Sequence, residues 1–145
     1  MIGFLIAMTS GALMSVQGVW NTQVTQTTGT WVSNLWVQFT AFLFCGIVWF
    51  AMGRDSLASI VEVQPKYMLA GGVLGAGITW TVIKSVEELG PAKAALLIVI
   101  TQITVSYSIE LFGLFEIEKR PFEIRKLLGI GLAVVGILLF HSDKS

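Results

Sequence analysis

Five long stretches of mostly apolar residues constrain the fold of this chain more than any other feature of its sequence. A helix needs roughly 20 mainly apolar residues to cross the hydrocarbon core of a bilayer. All five stretches are close to that length, so we predict an all-α polytopic membrane protein with five transmembrane helices in a single domain, residues 1–145. The predicted spans are residues 2–20, 31–52, 67–86, 91–115 and 124–140.

The composition agrees with a chain that lacks a water-facing surface. Of the 145 residues, 54% are hydrophobic and 12% are charged, whereas soluble domains have about 45–50% apolar and about 25% charged residues. Nine Lys and Arg residues balance nine Asp and Glu residues. This balance provides no basic face, so we expect no nucleic-acid partner.

The first apolar stretch is interpreted as a spanning helix and not as a cleaved signal peptide. No Lys or Arg precedes it, and its apolar part is longer than the core of a secretory signal. Catalytic and metal-binding motifs are absent from the sequence: there is no P-loop, no nucleophile elbow and no HExxH. A lone His141 and a lone Cys45 leave no Ser/His/Asp set and no intrachain disulfide. We therefore predict no enzyme activity, no cofactor and no bound metal.

The orientation in the membrane is predicted from the placement of Lys and Arg, which concentrate in cytoplasmic connections. A cytoplasmic N-terminus is weakly favoured, because six basic residues would lie on that side of the membrane and three on the other. With five spans the two termini lie on opposite faces. So small a bias is also compatible with insertion in both orientations. The six are Arg54, Lys66, Lys119, Arg120, Arg125 and Lys126, and the three are Lys84, Lys93 and Lys144.

The fourth predicted span carries a polar stripe, "TQITVSYSIELFGLFE". Gln102, Ser106 and Glu110 are four residues apart and share one face of a helix, with Tyr107 beside them. An ionisable side chain at the centre of a span costs about 2.5–3.5 kcal/mol on insertion scales, so it is a functional candidate. Glu110 either reaches from near the end of its span toward the headgroups or faces a cavity. In a cavity it would exchange protons near neutral pH, because a low dielectric disfavours the ionised carboxylate.

Other polar and aromatic residues in the spans are candidates for contact with a solute. Gln17 and Asn21 share one face of the first span, and Trp36 and Trp80 lie deep enough to stack on a flat or cationic solute. Lys84 either pairs with Glu88 near the membrane surface or faces the cavity and binds a carboxylate of the solute or of Glu110. The predicted solute contacts are Gln17, Asn21, Trp36, Gln38, Trp80, Lys84, Gln102, Ser106 and Tyr107.

Small residues at helical spacing indicate where helices approach closely in lipid. Gly71 and Gly75 have the GxxxG spacing in the third span, and Gly129, Ala133 and Gly136 share one face of the fifth. These faces are predicted either to pack against other helices of the chain or to hold a second chain. The two interpretations are compatible.

Over residues 67–140 the sequence resembles the small five-helix YdcZ-type members of the drug/metabolite transporter superfamily. The resemblance is carried by "GGVLGA", "LGPAKAA", the Gln102, acidic residue and "FGLF" pattern, "KRP" and "RKLLGIGLAVVGILL". Gln17 and Asn21 also match, whereas Thr101 stands where a Gly is expected and Glu110 where an Asp is expected.

This resemblance implies one half of an inverted-repeat transporter. Larger members of the superfamily have ten helices in two oppositely oriented halves, and rocking of such halves around a midplane site gives alternating access. The resemblance thus implies a bacterial inner-membrane transporter that pairs with an inverted second copy, or with a related five-helix chain, and moves a small metabolite or drug-like solute. Glu110 would couple the transport to protons.

The sequence is also compatible with two other functions. A non-transporting membrane subunit that assembles with or stabilises a partner membrane protein would also need the glycine faces, but it would not need the polar residues within the spans. A passive channel would need a continuous polar path across the membrane, which the long apolar faces disfavour.

Overall fold

The described residues of the chain form five α-helices joined by short connections. The computed structural model describes residues 1–53 and 55–141, the last two of these as backbone only, and among them there is no β-strand. Arg54 and Lys144, which enter the predicted orientation, and the side chain of His141 lie outside the described residues. The helices are α1 (Ile2–Thr28), α2 (Thr30–Val48), α3 (Gly71–Leu89), α4 (Pro91–Phe112) and α5 (Ile124–His141). A π-helical turn (Trp49–Gly53) extends α2, and short 3₁₀ turns are formed by Leu57–Glu62, Lys66–Ala70 and Leu114–Glu116.

The helices are grouped in two compact units. The first unit, residues 1–88, contains α1, α2 and nearly all of α3, and the second begins at Leu89 and contains α4 and α5.

Four helical segments within the described residues are long and apolar enough to cross a membrane: Ile2–Thr28, Thr30–Gly53, Lys66–Leu89 and Pro91–Phe112. The remaining helix, α5, has 18 residues, which corresponds to about 27 Å at 1.5 Å per residue. That length is close to the lower limit for a span. The all-helical membrane fold is therefore confirmed, whereas the count of five spans and the inverted repeat stay predictions.

The distribution of side chains is the reverse of that in a water-soluble domain. Large apolar side chains point outward, as shown by Phe42 and Leu132, both 73% exposed, whereas Ser33 and Asn34 on α2 are 0% and 2% exposed. An apolar exterior around a small polar interior has no favourable contact with water but matches the hydrocarbon of a bilayer.

The first helix is eight residues longer than the predicted span, which ended at residue 20. Hydroxyl groups explain why the Thr-rich stretch continues the helix: Thr22, Thr25 and Thr28 each donate to the carbonyl four residues earlier, at 2.8, 2.8 and 2.9 Å. These bonds satisfy the side chains inside the helix. The helix ends at Gly29, whose φ of 85° is accessible mainly to glycine.

The fourth helix ends three residues before the predicted limit of residue 115. Gly113 adopts a left-handed conformation (φ 66°, ψ 42°), and its N–H donates to the carbonyl of Ile109. A left-handed glycine after the last helical residue is a common helix terminator. It places Glu110 two residues from the end of α4.

Polar contacts and one close glycine contact hold the first unit together. The Asn34 side-chain amide donates to the backbone carbonyl of Ala76 at 2.8 Å and thereby ties α2 to α3. The Ser33 hydroxyl donates to the carbonyl of Asn21 at 3.1 Å and joins α2 to α1. A Cβ added at Gly18 of α1 would lie 3.3 Å from Cγ1 of Val82 on α3, so this glycine allows the two helices to meet.

We expect Gly18→Leu to destabilise the first unit by about 1–3 kcal/mol, because overpacking a tight contact forces the neighbouring helix to shift. The matched control is Gly11→Leu on the same helix, since no atom of the unit lies within 4 Å of a Cβ at that position. Thermal unfolding of the purified protein in detergent measures the difference. Equal melting temperatures for the two variants would contradict the contact.

Candidate functional site

A groove of about 500 Å³ lies between α4 and α5 in the second unit. This volume is within the range of small-molecule sites, about 300–1,000 Å³. Its polar lining comes from Gln102, Ser106, Tyr107, Glu110 and Lys126, and its remaining lining from Ile100, Ile103, Gly129, Ile130 and Ala133.

The groove brings together the four residues predicted on the polar face of the fourth span. Gln102, Ser106, Tyr107 and Glu110 all line it, so the helical spacing of these residues did indicate a shared surface. Their role in solute binding stays a prediction.

Two of the small residues predicted as packing positions, Gly129 and Ala133, form the opposite wall of the groove. Apart from the backbone of α5 itself, no described atom lies within 4 Å of a Cβ built on Gly129, so this glycine leaves open space beside it in the groove. The packing role of the two residues stays a prediction.

The carboxylate of Glu110 forms an ion pair with Lys126 of α5. The Lys126 Nζ lies 3.3 Å from Oε2 of Glu110, and the two side chains are 36% and 42% exposed. Pairs that are this exposed contribute little to folding stability in water. Sequence reasoning placed Lys126 among the residues that set orientation and did not identify it as the partner of Glu110.

Two further contacts fix the geometry around this ion pair. Lys126 lies 5.4 Å from the centroid of the Tyr107 ring and 3.6 Å from Oε1 of Glu123. The Glu123 backbone N–H donates to the Tyr107 hydroxyl at 3.0 Å, and the Arg120 N–H donates to the Glu110 carbonyl at 2.9 Å. The connection between α4 and α5 is thus attached to the end of α4.

The ion pair lies at one end of the groove, beside this connection. Glu110 is two residues, about 3 Å, from the C-terminal end of α4. Ile100 lies about 15 Å from Glu110 toward the N-terminal end of the same helix. The groove therefore extends from the charged pair to a far end lined by Ile100, Gln102 and Ile103. Glu110 lies both near a helix end and in the groove lining, so the choice between its two predicted roles stays open.

The predicted ion pair between Lys84 and Glu88 is wrong, because Lys84 pairs with a different glutamate. Lys84 Nζ lies 2.7 Å from Oε2 of Glu87, three residues later, and the predicted partner was Glu88. Side chains three and four residues apart on a helix are both neighbours, so spacing alone does not choose between them.

The other predicted solute contacts belong to the first unit, where two of them, Gln38 and Trp80, have a partner on another helix. The Gln38 amide donates to Oδ1 of Asn34 at 3.2 Å and to Oγ1 of Thr79 at 3.3 Å. Trp80 stacks on Trp31 with ring centroids 6.3 Å apart. The remaining three are exposed (Gln17 and Trp36) or half-buried (Asn21). A solute-binding role for all of them stays a prediction.

A comparison with family models identifies the chain. It matches the DMT_YdcZ model, described as "Putative inner membrane exporter, YdcZ", over residues 2–139. The chain belongs to the YdcZ family. Comparisons with curated proteins and with solved structures gave no match.

Membership of the YdcZ family confirms the predicted resemblance and supports several coarser conclusions. Together with the four apolar helical segments it indicates an integral inner-membrane protein, with the lipid bilayer and a small solute as its partners. It also indicates a transporter and not an enzyme.

We expect the groove of this YdcZ-family chain to be hydrated, so that a cysteine at Ser106 reacts with a membrane-impermeant thiol reagent in the Cys45→Ala background. Reaction requires the thiolate, which forms in water and not in hydrocarbon. Val105→Cys is the matched control, because Val105 is the adjacent residue and lies outside the groove lining. Labelling of protein in membranes is read by mass spectrometry. Equal labelling of the two cysteines, or labelling of neither, would contradict a hydrated groove.

Proposed function

We propose that this chain is a secondary active transporter of a small organic solute, metabolite or drug-like, that is cationic or zwitterionic. It acts as an antiparallel homodimer, or with a related five-helix chain, by alternating access coupled to protons. The observation that carries the proposal is the groove in which Glu110 ends a face of polar side chains between two helices of a family described as exporters.

The proposed dimer follows from the odd number of predicted spans. Five spans are half of the ten-helix arrangement implied by the resemblance, and an inverted copy supplies the second half around a shared central site. Open glycine faces support such a partner. Apart from the backbone of the same helix, no described atom lies within 4 Å of a Cβ built on Gly71, Gly75 or Gly136.

Proton coupling is proposed to depend on the charge of Glu110. The ionised carboxylate attracts a cationic group of the solute, and a proton that binds the carboxylate removes this attraction. Solute and proton therefore compete for one group, and entry of protons down their gradient drives the solute outward. Protonation of the carboxylate thus weakens binding of the solute.

The polar and aromatic residues of the first unit are proposed to line the remainder of the pathway in the dimer. Gln17 and Asn21 on α1, Gln38 on α2 and Trp80 on α3 would contact the solute in one of the two states. Trp36 would do the same from the opposing copy. Lys84 has the weakest support, because Glu87 already neutralises it.

A non-transporting subunit is the second candidate, and the open faces at Gly71, Gly75 and Gly136 favour it as much as they favour a transporter. The two functions differ in what the isolated protein can do. A transporter binds and moves a solute when it is the only protein in a vesicle, whereas an assembly subunit requires its partner.

We expect Glu110→Gln to preserve membrane insertion and dimer formation but to abolish the dependence of transport on a pH gradient, because Gln cannot bind and release a proton. Solutes are first selected by thermal shift, since a ligand of the native state raises its stability. Their uptake is then measured in proteoliposomes with and without the gradient.

Glu118→Gln provides the control for this experiment, because it removes a carboxylate from the connection outside the groove lining. It should transport like the wild type. Uptake by Glu110→Gln that still follows the pH gradient would exclude the coupling role, and absence of uptake by the wild-type protein with every stabilising solute would favour the subunit.

A further inference from the structure

We propose that the groove binds an organic ammonium ion, and that Lys126 occupies the ammonium position in the empty site and moves to Glu123 when the solute binds. The proposal rests on the function proposed above, because it defines the class of solute for the same groove.

Lys126 already makes the contacts that an organic amine would make in the groove. Its Nζ lies 3.3 Å from a carboxylate oxygen of Glu110 and 5.4 Å from the centroid of the Tyr107 ring. A carboxylate provides charge-assisted hydrogen bonds, and an aromatic face attracts a cation. The lysine therefore acts as an internal copy of the ligand group.

Lys126 also has a second carboxylate within reach. Oε1 of Glu123 lies 3.6 Å from the same Nζ, three residues earlier on the chain. Hydrogen bonds between the Glu123 backbone and the Tyr107 hydroxyl hold this second carboxylate near the groove. A flexible lysine stem with three donors can change partner by rotation about its side-chain bonds.

The net charge around Lys126 favours a cationic solute. Lys126 contacts two carboxylates, so this group of three side chains has one surplus negative charge. One added cation would give two matched ion pairs. An added anion would give a third negative charge, and a zwitterion would leave the surplus negative charge unchanged. The adjacent Arg125 is exposed and lies outside the groove lining. The other charged residues of the connection, two acidic and two basic, cancel: Glu116, Glu118, Lys119 and Arg120.

The lining of the groove away from the ion pair would contact the rest of the solute. Away from the charged end, Ile100, Ile103 and Ile130 line the groove, and Gln102 adds one amide. Burial of apolar surface against these side chains favours an apolar substituent on the amine. The groove thus suits an amine with an aromatic or aliphatic body and a single positive charge.

The dependence on pH follows from the groups that face Glu110. These are Lys126 from α5, Tyr107 from α4 and, through Lys126, Glu123 from the connection. Protonation of Glu110 leaves the amine without its carboxylate and leaves Lys126 with Glu123. Protonation of the Glu110 carboxylate therefore weakens binding of the amine.

The test compares four probes with the same aromatic ring and different charge: phenethylamine, hydrocinnamate, phenylalanine and phenethyl alcohol. Binding to the purified full chain is measured by titration calorimetry in detergent. We expect phenethylamine to bind most tightly and its affinity to fall at acidic pH.

Variants then test the exchange of Lys126. Lys126→Met should tighten amine binding about fivefold because it removes the internal competitor, and Glu123→Gln should weaken binding about fivefold because Lys126 loses its second partner. In the double variant the effect of Glu123→Gln should disappear, since no lysine remains to be moved. Arg125→Met and Glu118→Gln are the controls for net charge and should bind like the wild type.

Three results would overturn the proposal: amine binding no tighter than that of the other three probes, weaker amine binding by Lys126→Met, or an undiminished effect of Glu123→Gln in the double variant. The binding assay is independent of transport. Amine binding in the expected pattern without uptake in proteoliposomes supports this site and contradicts the transporter. Gradient-driven uptake of another solute by a chain that does not bind the amine supports the transporter and contradicts this site.

Discussion

Hydrocarbon cannot hydrogen-bond to a polar side chain, and the arrangement of this protein depends on that constraint. Every polar group within an apolar helix must find its partner inside the protein. The threonines of α1 bond to carbonyls of their own helix, and Asn34 reaches the backbone of α3. Large apolar side chains are left for the exterior, where they meet lipid. The polar interior therefore specifies which helices are neighbours.

The same constraint gives the second unit its candidate site. The polar face of α4 has no place in lipid, and it lies against a helix whose Gly129 and Ala133 leave a groove beside it. Glu110 finds Lys126 there, so a charge that is costly in a span is paired. This pair remains partly exposed and Lys126 also lies near Glu123, and on these contacts rests the proposal that a ligand or a proton replaces the pairing. Structural need and proposed transport chemistry thus involve the same residues.

Periodicity and composition predicted the helices, the membrane and the shared face of Gln102, Ser106 and Glu110, because each depends on local spacing. The extension of α1 was not predicted, since its threonines look like a loop until their hydroxyls bond within the helix. Contact between Glu110 and Lys126 was also missed. Their positions in the last turn of α4 and the first turn of α5, joined by a short connection, were the available signal. The choice of Glu87 over Glu88 by Lys84 depends on side-chain rotamers that spacing does not reveal.

We propose that this chain is one half of a transporter and encloses a pathway only when an inverted copy covers the groove of the second unit. Single-particle structure determination of the protein in lipid nanodiscs, with a labelled fragment bound to a C-terminal tag, tests it directly. We expect particles with two copies in opposite orientation, one tag on each face of the membrane, and the α4–α5 groove turned toward the partner. Particles with one copy, or with copies in the same orientation and this groove facing lipid, would contradict the account.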